Sequence, residues 1–66
     1  MITLTINGQP RNLPALADVA ALLAHLELTA DRVVVEHNGT ILNAEQHAAP
    51  VQDGDRLEII QFVGGG

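Results

Sequence analysis

Two Asn-Gly pairs set the tightest limit on what this chain can fold into. Asn7-Gly8 and Asn38-Gly39 each follow a strand-like run, "ITLTI" and "VVVEH". A two-residue hairpin turn whose twist suits its flanking strands needs positive φ at both central positions, which Asn-Gly supplies at little steric cost. The chain therefore reads as two hairpins. In the first, Ile2, Leu4 and Ile6 alternate with Thr3 and Thr5, the period of a strand with one buried face. The returning segment "QPRNL" contains Pro10, which cannot donate to a ladder, so this strand belongs at a sheet edge. In the second hairpin the β-branched run "VVVEH" pairs with the short segment "TIL".

Between the hairpins the period changes. Val19, Leu22, Leu23 and Leu26 fall at i, i+3, i+4 and i+7, the stripe of a helix packed by one face, with Asp18 as its N-cap. Residues 29–31 break that stripe. After the second hairpin, "NAEQHAAP" carries no period, "DGD" reads as a turn and "RLEIIQFV" as a final strand. The order is hairpin, helix, hairpin, irregular connection, strand. A lone hairpin is marginal and a one-faced helix needs cover, so the economical arrangement is a mixed sheet of four to five strands wrapped on the helix, its last strand inserted beside the first. That is an α+β fold, the β-grasp. One domain is expected over residues 1–63, followed by a flexible glycine tail over 64–66. The expected core is Ile2, Leu4, Ile6, Leu13, Val19, Leu22, Leu23, Leu26, Val33, Val35, Ile41, Leu42, Leu57 and Ile59.

Composition removes most catalytic classes. The chain has 66 residues with no cysteine, and inspection finds no serine or lysine either. Thiol and serine nucleophiles, disulfides and thiolate metal sites are therefore outside its chemistry. His25, His37 and His47 lack the i, i+4 or H-x₃₋₅-H spacing that lets two imidazoles share a metal, so no metal site is expected. Gly8, Gly39 and Gly54 are isolated, and no phosphate-cradling loop forms from them; any nucleotide has to be held by a partner. Eight acids against three arginines give a net charge of -5. That balance repels nucleic acid and suits either simple solubility or approach to a basic protein surface. No apolar segment is long enough to cross a membrane, and a cytoplasmic monomer is expected.

Two features point to function. If Leu57 and Ile59 face the core, strict alternation turns Glu58, Ile60 and Phe62 outward, and the same logic turns Val34 and Glu36 outward while Val33 and Val35 face in. In a β-grasp those two strands are neighbours. Val34, Ile60 and Phe62 then form one exposed apolar patch with Glu58 at its rim, a surface suited to docking a partner. The second feature is the end, "QFVGGG". Read alone, three terminal glycines are more often a frayed end than a working one. Glycine has no Cβ, however, so an extended tail of Gly64, Gly65 and Gly66 can thread a narrow channel and deliver an unhindered carboxylate. With no lysine, cysteine or serine on the chain, an activated carboxyl would meet no amine or thiol side chain of its own.

Across its whole length the sequence resembles the ThiS family of sulfur carriers. The resemblance rests on "VVVEHNG", on "VQDGDRLEIIQFVGGG" and on an N-terminal strand with an Asn-Gly turn at the right distance. It implies that Gly66 is adenylated at its carboxyl by an E1-like enzyme of the ThiF type using Mg-ATP. Sulfur from a cysteine-derived donor then makes a C-terminal thiocarboxylate, which a ThiG-type thiazole synthase consumes in thiamine biosynthesis. Gly64 and Gly65 would be the tail that enters the partners' active sites, and the chain would be a co-substrate rather than an enzyme, binding no cofactor itself. The alternatives are a MoaD-like small subunit of molybdopterin synthase, a ubiquitin-like protein modifier, and an interaction module with an inert tail.

Overall fold

The computed structural model describes residues 1–62. Val63 and the glycines Gly64, Gly65 and Gly66 lie outside the described residues, and with them the expected boundary between domain and tail. The elements are β1 (Ile2–Ile6), β2 (Gln9–Leu13), α1 (Val19–His25), β3 (Val33–His37), β4 (Thr40–Leu42) and β5 (Arg56–Gln61). Short 3₁₀ turns at Ala30–Arg32 and Ala44–Gln46 precede β3 and follow β4. The five strands form one sheet in the order β2-β1-β5-β3-β4, with β1 and β5 parallel and every other pair antiparallel. This is the β-grasp expected from the pattern: the last strand sits at the centre, and Pro10 lies on an edge strand.

Local chemistry explains each junction. Asn7 and Gly8 have φ of 51° and 81°, and Asn38 and Gly39 have 48° and 89°, so both hairpins turn as the Asn-Gly pairs require. Asp18 accepts the Ala21 N–H at 2.8 Å and caps α1. The helix ends without glycine. Glu27 takes φ of 60°, its N–H donates to the Ala24 carbonyl at 3.0 Å and the Leu28 N–H to the Leu23 carbonyl at 2.9 Å. That pair of bonds is the Schellman closure, adopted here by a residue that carries a Cβ.

Leu4, Ile6, Leu13, Val19, Leu22, Leu23, Val33, Val35, Val51, Leu57 and Ile59 make up the core between α1 and the inner face of the sheet. Ile2, Leu26 and Leu42 pack against it, partly buried. Ile41 is a correction to the expected core: it is 66% exposed. The two-residue turn fixes the register Val35↔Leu42 and Glu36↔Ile41, so with Val35 buried, Ile41 must share the outward face of Glu36. Val51, absent from the expected core, is buried in it. It comes from the connection between β4 and β5, which crosses the N-terminal end of α1. There the carbonyls of His47 and Ala49 accept the Ala20 and Val19 N–H groups at 2.9 and 3.1 Å, and Asp18 bridges Pro50. His47 is buried in this connection, its Nδ1 without a hydrogen-bond partner.

Candidate functional site: the outward sheet face and the root of the tail

Alternation along β5 decides what the domain presents. Leu57 and Ile59 are buried, whereas Arg56, Glu58, Ile60 and Gln61 are exposed. Ile60 lies directly opposite Val34, and Glu58 directly opposite Glu36, across the β3–β5 ladder. Ile60 and Phe62 are 61% and 55% exposed, and Val34 is half-buried. Val34, Glu58, Ile60 and Phe62 are thus brought together on the face turned away from the helix. Ile41 joins them through its pairing with Glu36. The alternation of the β3–β4 hairpin could have placed Ile41 there from the sequence, had Leu42 alone been given to the core.

The root of the tail is held from both sides. On the β3 side, the Phe62 N–H donates to the Arg32 carbonyl at 2.8 Å, one step past the last residue of the strand. On the other side β1 has already ended, and the Asn7 side chain takes over its role: Oδ1 accepts the Ile59 N–H at 2.7 Å and Nδ2 donates to the Ile59 carbonyl at 3.1 Å. An amide side chain thereby acts as one more residue of strand. The central strand reaches the end of the sheet fixed at Ile59 and Phe62, the latter two positions before Gly64 in the sequence.

At the opposite end of β5 a polar clamp ties the β3–β4 turn to the entry loop. His37 Nε2 lies 2.8 Å from Asp55 Oδ2, both side chains mostly buried. Asp55 also accepts the Gln52 N–H at 2.9 Å and Asn38 Nδ2 at 3.1 Å, while Asn38 Oδ1 accepts the Arg56 N–H at 2.8 Å. Burial acts to raise the Asp55 pKa, but the hydrogen bonds from His37, Gln52 and Asn38 and the attraction to His37 outweigh it and hold the carboxyl below its usual value. The loop is also tied to β1: Asp53 Oδ1 accepts the Thr3 N–H at 2.7 Å, and the Gly54 N–H donates to the Thr3 carbonyl at 2.8 Å. The "DGD" segment is therefore the turn that starts the central strand. Among the described residues, no group of three or more His, Cys, Asp or Glu side chains is placed to hold a metal ion. No helix among them is long and apolar enough to cross a membrane.

Known proteins give the arrangement its context. The family model described as ThiS family matches residues 4–66. The chain belongs to the ThiS family. A crystal structure of the thiamine biosynthesis protein ThiS from Geobacter metallireducens superposes with a TM-score of 0.81 at 39% identity, covering 98% of this chain and all of that one. The similarity extends to part of a larger protein. A thiazole synthase of Paramagnetospirillum magneticum is 45% identical over 64 residues, which cover 96% of this chain and 20% of that protein. The chain thus spans about a fifth of the length of that relative. An uncharacterized protein, ycf40, of Porphyra purpurea is 36% identical over 66 residues, covering 98% of this chain and 93% of its own. The ubiquitin-like β-grasp, with its central final strand, is the fold this chain shares with the Geobacter protein.

Proposed function

We propose that the chain is a sulfur carrier of thiamine biosynthesis whose reactive group is the carboxyl of Gly66. The observation that carries the proposal is the ThiS-family match running through residue 66, the last of three glycines that come after Phe62 and Val63 in the sequence. In the proposed cycle a ThiF-type activating enzyme joins the Gly66 carboxylate to AMP from Mg-ATP and releases pyrophosphate. A sulfide equivalent drawn from cysteine displaces AMP and leaves a thiocarboxylate. A carboxylate is a poor electrophile because resonance and negative charge oppose attack; the mixed anhydride supplies the leaving group. The thiocarboxylate is in turn a nucleophile at neutral pH, and holding it on a protein keeps free sulfide from being lost.

The domain's part is presentation. Gly64 and Gly65 would let the carboxyl enter a channel that a Cβ would block, while Val34, Ile60, Phe62 and Glu58 would dock the body on each partner. The thiazole synthase relatives support a ThiG-type enzyme as the consumer of the sulfur, and favour the thiamine branch over molybdopterin formation. Every step of the bond chemistry is assigned to a partner, so the chain acts as a recycled co-substrate in the cytoplasm. Two variants test this reading. Removing Gly65 and Gly66 should abolish sulfur transfer to the chain and leave its unfolding curve unchanged, because the tail contributes no core side chain. Phe62→Asp should weaken binding to the activating enzyme with little loss of stability. Sulfur transfer to the truncated chain would refute the assignment of Gly66, and unfolding of Phe62→Asp would refute the docking role of that face.

A further inference from the structure

The outward sheet face is an apolar surface with a charge defect at its centre. Ile41 and Ile60 are 66% and 61% exposed, with half-buried Val34 beside them. Among these residues, Glu36 and Glu58 stand directly opposite each other on β3 and β5. Hydrogen-bonded and non-bonded pairs alternate along an antiparallel ladder. The Asn38 N–H to Arg56 carbonyl bond at one end and the Phe62 N–H to Arg32 carbonyl bond at the other place Glu36 and Glu58 among the bonded pairs, about 5.5 Å apart between Cα atoms. Like charges in that position oppose folding. Among the described residues the one ion pair is His37 with Asp55; Arg56 lines the same hollow but forms no ion pair with either carboxylate, so two acids face one unengaged guanidinium there.

We infer that this face receives an arginine of a protein partner between Glu36 and Glu58. The inference rests on the docking role given to this face above and adds the chemistry of what docks there. A guanidinium presents five N–H donors in a planar fork, enough to serve two carboxylates at once, and its aliphatic stem can lie along Ile41 and Ile60. A compact ammonium has neither the fork nor the flat faces. The competing occupants fit worse. A second copy stacked on this face would bring four carboxylates together with only two Arg56 guanidinium groups, on two chains of net charge -5 each, and the same charge repels a phosphate backbone. The pair also gives selectivity, because a partner without the cation would bury both carboxylates unpaired.

The test begins with the labelled chain alone, so that its outcome is independent of sulfur chemistry. N-acetyl-arginine amide is titrated into the ¹⁵N-labelled protein, with N-acetyl-lysine amide and N-acetyl-citrulline amide as controls. Amide shifts should concentrate at Glu36, Ile41, Glu58 and Ile60, be larger for the arginine probe than for either control, and vanish in the folded E36Q/E58Q variant. The same variant should bind the ThiF-type enzyme about thirtyfold or more weakly, the loss expected when one side of a desolvated charge pair is removed. Shifts spread evenly over Glu27, Asp31 and Glu45 would overturn the inference, as would unchanged affinity in the variant. Concentration-dependent shifts at these four residues without any probe would overturn it in favour of a second copy. If the wild-type chain gains no sulfur, the carrier reading fails while the arginine titration still stands or falls on its own result.

Discussion

Replacing Asn7 by glycine should loosen the root of the tail without disturbing the turn. Glycine adopts the positive φ that Asn7 holds at 51°, so the hairpin geometry survives, but the bonds at 2.7 and 3.1 Å to the Ile59 N–H and carbonyl are lost. A typical intramolecular hydrogen bond contributes about 0.5–1.5 kcal/mol net, so the pair amounts to about 1–3 kcal/mol. A domain of this size has a total stability of roughly 3–10 kcal/mol, and each kcal/mol moves its melting temperature by about 4–8 °C. Asn7→Gly should therefore melt several degrees lower by circular dichroism. Hydrogen exchange locates the effect. The Ile59 amide should lose protection beyond the global change, whereas Ile60, whose backbone bonds to β3 opposite Val34, should follow the global change alone. Asn7→Asp keeps an acceptor for the Ile59 N–H and should preserve its protection. An Asn7→Gly protein with wild-type melting and a protected Ile59 amide would refute the role given to this side chain.

Three further predictions follow from the same geometry. Glu27→Gly removes a Cβ from a left-handed C-cap and should stabilise the fold by about 1 kcal/mol, seen as a higher urea midpoint; no change would mean that the Glu27 side chain makes a compensating contact. Asp55 has its folded pKa below the ordinary 3.8, so the stability it contributes is fully present above 3.8 and is lost as pH falls through the folded value. Asp55→Asn should therefore be less stable than wild type at pH 7, and the gap should narrow in acid below 3.8; a gap constant down to pH 2 would contradict the linkage. Val51→Ala should cost about 2 kcal/mol, from lost methyl burial plus a cavity, while Ile41→Thr should stay within about 0.5 kcal/mol; equal costs would contradict the assigned strand faces.

Much of this architecture could be read from the chain because its signals are local. Asn7-Gly8 and Asn38-Gly39 dictate their turns, Pro10 excludes β2 from the sheet interior, and Asp18 marks the start of α1. The central position of β5 follows from burial need rather than from any one residue: Leu57 and Ile59 alternate too cleanly for a strand exposed on both faces. What stayed hidden depends on contacts distant in sequence. Val51 and His47 lie in a segment without periodicity, and only the crossing of that segment over the N-terminus of α1 buries them. Glu27 ends a helix where glycine would be the expected signal. Ile41 and Leu42 cannot both face inward on a strand, and the turn register, which no apolar pattern reveals, turns Ile41 outward. The face carrying Val34, Glu58, Ile60 and Phe62 followed from alternation alone, whereas the clamp of Asn7 on Ile59 had no sequence signature beyond the turn itself.

Intact-mass spectrometry of the chain after incubation with its activating enzyme, Mg-ATP and a cysteine-derived sulfur source tests the central claim most directly. The account predicts a mass gain equal to the exchange of one oxygen for one sulfur, located by fragmentation at Gly66 and dependent on ATP. A chain that forms no adenylate and gains no sulfur, or that carries the sulfur anywhere other than its terminal carbonyl, would contradict it.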